Sequence, residues 1–220
     1  VENTKKAMTL EEKIGQLFVP IGYSGDADYL EHVMLSHHIG GIMYRCGEAK
    51  EMQRTHRYLQ EHSKIPLLVG ANLEDGGCGI ATDGTQYGKQ MQIAATGDTE
   101  DAYRLGKVSC SEGAAVGCNW AFAPVVDIDR NWRNPITNVR TYGDDPDRVL
   151  ACGVNYIKAA KEENLLRPHP CLSDSLWQAE LLRLVHPSVS HREKVNHLQP
   201  GKNPLTKREE RDIISPKQER

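Results

Sequence analysis

Apolar and polar residues come in blocks along the first two-thirds of the chain, and the blocks alternate between a helical and an extended period. TLEEKIGQ reads as a helix, with Thr9 as N-cap and Glu12 three residues on as its capping-box partner. The apolar run behind it predicts a strand near residues 16–21. DADYLEHVMLSHH predicts a second helix, and IGGIMY a strand over 39–44. GEAKEMQRTHRYLQEHS is amphipathic through Met52, His56 and Leu59, and the apolar IPLLVGANLE follows as a strand over 66–72. DTEDAYRLGKVSCSEGAAVG predicts a helix capped by Asp98 or Thr99. NWAFAPVVDID then predicts a strand over 119–127, and PDRVLACGVNYIKAAKEENL a helix with Pro146 in its first turn.

Strand then helix, repeated with fully apolar strands, implies parallel strands covered on both faces. Two α/β architectures satisfy that, a doubly wound sheet and a (β/α)8 barrel. No G-x-G-x-x-G follows a strand and no G-x-x-x-x-G-K-[ST] is present, so the nucleotide-binding versions lose their main support. Polar residues gather just behind strands: Asn72, Glu74 and Asp75 after PLLVG, then Asp127, Asp129 and Arg130 after FAPVV. In a barrel such positions line the active-site face. They are also ordinary turn chemistry. The stretch RNWRNPITNVRTYGDDPDRV, Arg130 to Val149, concentrates arginines and turn-forming residues behind an apolar run, as a loop folded over a site would.

Composition narrows the partners. With 220 residues and 39% hydrophobic content the chain can bury a substantial core. A net charge of −3 gives no reason to expect nucleic acid as a partner, and no apolar run is long enough to span a membrane. The polar start VENTKKAMTLEEK lacks a signal-peptide core, so a cytoplasmic location is expected. Six cysteines without a C-x-x-C pair read as reduced, mostly buried small hydrophobes. His37 and His38 are adjacent, a poor geometry for chelation, and read as a helix C-terminal cap before Gly40. No metal ion or cofactor is expected.

From about Leu165 the texture changes. That segment holds one of nineteen glycines but six of eleven prolines, and only SDSLWQAELLRLV keeps a helical pattern, with Ser173 as its cap. The remainder reads as a poorly ordered or helical tail. The expected organisation is therefore a partial (β/α)8 domain over residues 8–166, about the first five βα units, and a divergent tail over 167–220. A reading-frame change, a gene-model join or a natural truncation would each produce this shift.

Two carboxyl-rich strand ends beside a cleft suit glycoside hydrolysis, but taken alone the spacing favours loop caps and surface turns, since Asp and Asn behind strands are common turn chemistry. A resemblance adds to this. MTLEEKIGQLF, IGGIMY, IPLLVGANLEDGG and above all NWAFAPVVDIDRNWRNPITNVRTYGDDPDRV resemble the N-terminal (β/α)8 domain of glycoside hydrolase family 3, within it most closely the β-N-acetylhexosaminidase branch. The match runs from about Met8 to Leu166 in the family's order. It implies retaining cleavage of terminal β-linked N-acetylhexosamine, with β-glucosidase activity as the alternative, and a carbohydrate as the partner. It places Asn72 where relatives carry a sugar-binding aspartate, Glu74 on the acid of the same segment, and Arg140 on a substrate-contacting arginine. Asp127 would face the sugar or brace Arg140. Arg130, Arg133, Asp144 and Asp145 would form loop salt bridges and caps.

The chain also departs from the family. After Leu166 it reads RPHPCLSDSLW, where the resemblance calls for a K-H-F-P-G strand, then an Asp-His pair for acid-base work and an S-D strand end carrying the nucleophile. Asp174 follows two prolines that exclude a buried strand, so it reads as a helix cap or a solvated residue. No catalytic residue is assigned, and an inactive chain is expected. A non-catalytic carbohydrate-binding or structural remnant is the reading from a different class. A barrel stopped after about five strands would leave open edges through which the chain could self-associate.

Overall fold

A computed structural model describes residues 2–163 and 165. Residues 1–185 form one compact unit; a second, His186–Arg220, lies outside the described residues, as do the 166/167 boundary, Cys171, Ser173 and Asp174. Four strands, β1 (Ile21–Gly22), β2 (Gly41–Tyr44), β3 (Leu68–Ala71) and β4 (Trp120–Ala121), form one parallel sheet in the order β1-β2-β3-β4. Each strand pairs with the next in sequence and the order never reverses. A doubly wound sheet turns back at a switch point, so this succession belongs to a barrel wall. Of about five expected units, four strands lie among the described residues.

Among the described residues seven α-helical segments accompany them: α1 (Glu2–Ala7), α2 (Leu10–Gly15), α3 (Ala27–Tyr29), α4 (Ala49–His62), α5 (Gln90–Ala95), α6 (Glu100–Ala115) and α7 (Pro146–Glu162). The capping signals act as read. The Thr9 hydroxyl accepts from Glu12 N at 3.2 Å while the Glu12 carboxylate accepts from Thr9 N at 2.8 Å. Asp145 caps α7 through Asp147 N at 3.0 Å, with Pro146 behind it. His38 ends its turn in the left-handed region at φ 54°. Asp98 and Thr99 divide the cap of α6: Thr99 takes the N-cap position and Asp98 accepts from Glu100 N.

One sheet face is a finished core. Ile42, Val69 and Ala121 are 0% exposed, and on α4 Met52, Thr55, His56 and Leu59 form the buried stripe. α6 lies close along α7 because Gly106 has no side chain: a Cβ there would stand 2.8 Å from Tyr156 O and 3.1 Å from the Ala159 Cβ. The opposite face is only half covered. Leu68 is 37% exposed on it, and Trp120 and Phe122 pack as a tilted pair with Phe122 over Gly70.

Three expected elements differ. The strand near 16–21 begins only at Ile21, because Leu17 N and Phe18 N bond back to Ile14 O and Gly15 O, extending the helical turn, and Pro20 has no N–H. The helix over 26–38 breaks into α3, a π-turn over Leu30–Met34 and a 3-10 turn over Leu35–His37. The strand over 119–127 is continuous only through Ala121, and Val125 returns as an isolated bridge residue. Pro124 cannot donate, and both backbone groups of Val125 bond to a side chain. α1 and α5 were not anticipated, although Gln90, Ile93 and Ala94 carry a helical spacing. Among the described residues no helix is long and apolar enough to cross a membrane.

Candidate functional site

The chain leaves β3 into Asn72, Leu73 and Glu74, and Leu73 sets their position. Its side chain is fully buried against Gly113 of α6, and its carbonyl accepts from the Tyr156 hydroxyl of α7 at 2.5 Å. With Leu73 held, Asn72 and Glu74 stay at the C-terminal end of the strand. Gly79 comes back onto the same turn: a Cβ on it would lie 1.6 Å from Asn72 O, so only glycine fits. The returning loop is tied down by Glu112, which accepts from Thr85 N at 2.8 Å and from the Thr85 hydroxyl at 2.5 Å.

After β4 the chain passes Val125 and Asp127 and enters the arginine-rich loop, which is built from local turns. Asn131 accepts from Arg133 N and Asn134 from Ile136 N, while Asp129 N donates to Gly143 O at 3.0 Å and closes the base. At its end a 3-10 turn, Asn138–Arg140, presents the Arg140 guanidinium. The fork meets Glu74 bidentately, with Nε–Oε2 at 2.8 Å and Nη2–Oε1 at 2.6 Å, and Nη1 donates to Ile136 O at 3.2 Å. Glu74 retains 16% and Arg140 35% side-chain exposure, so a ligand can still reach the pair.

The four residues singled out from the sequence therefore fall as follows. Glu74 and Arg140 are joined directly. Asn72 and Asp127 follow the C-terminal ends of the neighbouring strands β3 and β4, and Asp127 is 7% exposed. Glu74 supplies the bidentate carboxylate that meets Arg140. Asp145 is the expected helix cap, and Arg133 lies over the Trp132 ring at 4.9 Å.

Burial raises the pKa of the cysteine thiols in this part of the fold. Burial, with the Asp75 carboxylate nearby, pushes the Cys78 thiol up. Burial alone raises Cys118 to about 12, and it is the main cause of the same rise at Cys110. All five cysteines among the described residues are free. A cavity of about 450 Å³ lined by Glu12, Gln16, Glu31, His32, His38 and His62 lies before β2 and β3, at the N-terminal ends of the strands, and takes no part in this site. Among the described residues no three His, Cys, Asp or Glu side chains are grouped to hold a metal ion.

Sequence reasoning missed the contribution of α5. Lys89, its N-cap, pairs with Asp75 at 2.5 Å, next to Glu74, and Gln90 holds the backbone two residues before Asp127. Helical spacing at residues 90–94 was the available signal; the partners were not.

A parallel βα wall whose polar groups collect behind the strand C-termini defines a barrel-type enzyme domain. Residues 9–172 match the model of the glycosyl hydrolase family 3 N-terminal domain, and the chain belongs to that family. It is 43% identical over 165 residues to a beta-N-acetylglucosaminidase/beta-glucosidase of Cellulomonas fimi, covering 75% of this chain and 29% of that protein. Among solved structures it is similar to beta-glucoside phosphorylase BglX bound to 2FGlc, with a TM-score of 0.71 and 42% identity, over 75% of this chain and 30% of that one. A glycoside hydrolase family 3 beta-N-acetylglucosaminidase from Paenibacillus sp. str. FPU-7 gives 0.66 and 29% identity, over 71% and 32%. The chain thus spans about a third or less of the length of these relatives.

Proposed function

We propose that the loops after β3 and β4 hold a pyranose through the Glu74–Arg140 pair, Asn72 and Asp127. On this reading the chain supplies the sugar-holding part of a retaining β-N-acetylhexosaminidase-like hydrolase. The observation that carries it is the bidentate pair at a strand C-terminus. The carboxylate neutralises the guanidinium, so the site offers directed hydrogen bonds with little net charge, which suits a neutral sugar. Asn72 adds an amide that both donates and accepts. The Cellulomonas fimi relative is named for N-acetylglucosaminide and glucoside alike, which keeps β-glucosides as the alternative substrate.

A second reading concerns the acceptor. A glycosyl-enzyme intermediate can be opened by water or by phosphate, and the relative at 42% identity is named a phosphorylase. Either acceptor would use the same sugar contacts.

Titration of the 220-residue chain with N-acetylglucosamine and with glucose tests the binding. The proposal expects saturable binding that Arg140→Ala weakens; no binding of either sugar, or binding indifferent to Arg140→Ala, refutes it. Assays of aryl β-glycosides with and without inorganic phosphate separate the acceptors in any longer protein that carries this domain. The exposed Leu10, Ile14, Leu17 and Phe18 ahead of the edge strand support a further reading, that the chain self-associates.

A further inference from the structure

We infer that Gln90 is a positioning residue of this site: its side-chain amide fixes the backbone that aims Asp127. Gln90 stands at the start of α5 and is 1% exposed. Its Nε2 donates to Val125 O at 2.7 Å and its Oε1 accepts from Val125 N at 2.8 Å. One planar amide thus holds both polar groups of one residue, as a neighbouring strand would, at a point where β4 has ended and Pro124 offers no donor. Val125 is then fixed on both sides of its Cα, two residues ahead of Asp127.

The surrounding contacts give this clamp a purpose beyond satisfying buried groups. Lys89, the preceding residue, holds Asp75 beside Glu74. The Asp75 carbonyl accepts from Tyr87 N at 2.7 Å, so the same short stretch grips the Glu74 turn by its backbone. α5 also packs against the Asn138–Arg140 turn. Three charged groups, Glu74 on the loop after β3 and Asp127 and Arg140 on the loop after β4, are thereby referred to α5 and the residues just ahead of it. The Gln90 amide bonds to the Val125 backbone and acts through Asp127.

The inference rests on the sugar-binding reading for its consequence and not for its geometry, so two measurements are needed. The first is the affinity for N-acetylglucosamine. The second is the ¹³C resonance of the Asp127 carboxyl carbon without ligand, assigned by its loss in Asp127→Asn. Gln90→Met keeps length and burial and removes both hydrogen bonds. Leu59→Ala, near the end of α4 and on the side of the strand N-terminal ends, serves as a control that lowers stability away from the site.

Gln90→Met is expected to stay folded by circular dichroism, to bind the sugar about tenfold more weakly, and to shift the Asp127 resonance. Leu59→Ala is expected to melt earlier with affinity and resonance unchanged. A Gln90→Met protein with wild-type resonance and affinity overturns the inference, as does a Leu59→Ala protein that shows the same changes. If the wild type binds neither N-acetylglucosamine nor glucose, the sugar reading falls and the resonance alone decides the role of Gln90. If Gln90→Met does not fold, Gln90→Glu replaces it under the same criteria, since it keeps an acceptor for Val125 N and turns a lone pair toward Val125 O.

Discussion

Arg140 and Glu74 form a charge-assisted pair whose two hydrogen bonds run in parallel, and removing either partner costs the other, half-buried, its bidentate counterpart. Partial exposure limits the loss, and a coupling of about 1–2 kcal/mol is expected from a double-mutant cycle with Arg140→Ala and Glu74→Gln, read by urea unfolding. Additive single-variant effects would show that the pair does not act as a unit. His56 poses a different problem on the helix side of the sheet. Burial lowers its pKa, only partly offset by the hydrogen bond from Nδ1 to Val116 O at 2.7 Å, and its Nε2 is buried without a partner. A base whose folded pKa is depressed stabilises the fold above its unfolded value, near 6.5, and that stability is lost as pH falls. Stability should therefore decline between about pH 7 and 5, with a limiting slope of about 1.4 kcal/mol per pH unit. Urea midpoints across that range test this, and His56→Phe should flatten the slope.

Among the elements, α6 and α7 show how one absent side chain sets a contact. Alanine at Gly106 would gain about 0.5–1 kcal/mol of helix propensity. It would also place a methyl 2.8 Å from Tyr156 O, a backbone atom that cannot swing away. Overpacking of that kind costs about 1–3 kcal/mol, so net destabilisation is expected and a lower melting temperature is the readout. The displaced element would be α7, and Tyr156 holds Leu73 between Asn72 and Glu74. Larger residues at position 106 should therefore disturb the site as well as the fold.

For the whole molecule, four parallel strands with one face buried and the other half covered leave apolar surface at the barrel interior and ahead of β1. Such surface drives association, and sedimentation of the chain should show mass rising with concentration; a monomer throughout the micromolar range would contradict self-association. On the proposed reading the assembled contacts would hold a sugar without transforming it. Retaining hydrolysis needs a nucleophile on one side of the anomeric carbon and a proton donor on the other. After Leu166 the sequence departs from the segments that the resemblance assigns to those roles. Turnover of an aryl β-N-acetylglucosaminide or β-glucoside by the 220-residue chain is therefore expected to match buffer. A clear rate abolished by Asp127→Ala would place a catalytic group among residues read here as sugar-holding.

Sequence by itself determined what depends on near neighbours: the alternation of strand and helix, the Thr9–Glu12 capping box, the start of α7 at Asp145–Pro146, and the buried stripe through Met52, His56 and Leu59. Side-chain periods of two and 3.6 residues arise from backbone geometry within a turn or two, so they can be read locally. The position of polar residues behind strands followed from the same pattern once parallel strands were inferred. Tertiary structure decided which of those residues meet. Glu74 and Arg140 are 66 residues apart, and Gln90 and Val125 are 35 apart, joined only because neighbouring strands end on the same side. It also cut the strands expected over 16–21 and 119–127. Apolar character there reported burial correctly at Val125 and Val126 and wrongly at Leu17 and Phe18, because a ladder requires partnered backbone groups, and which partner each N–H finds is settled only when the distant segments come together.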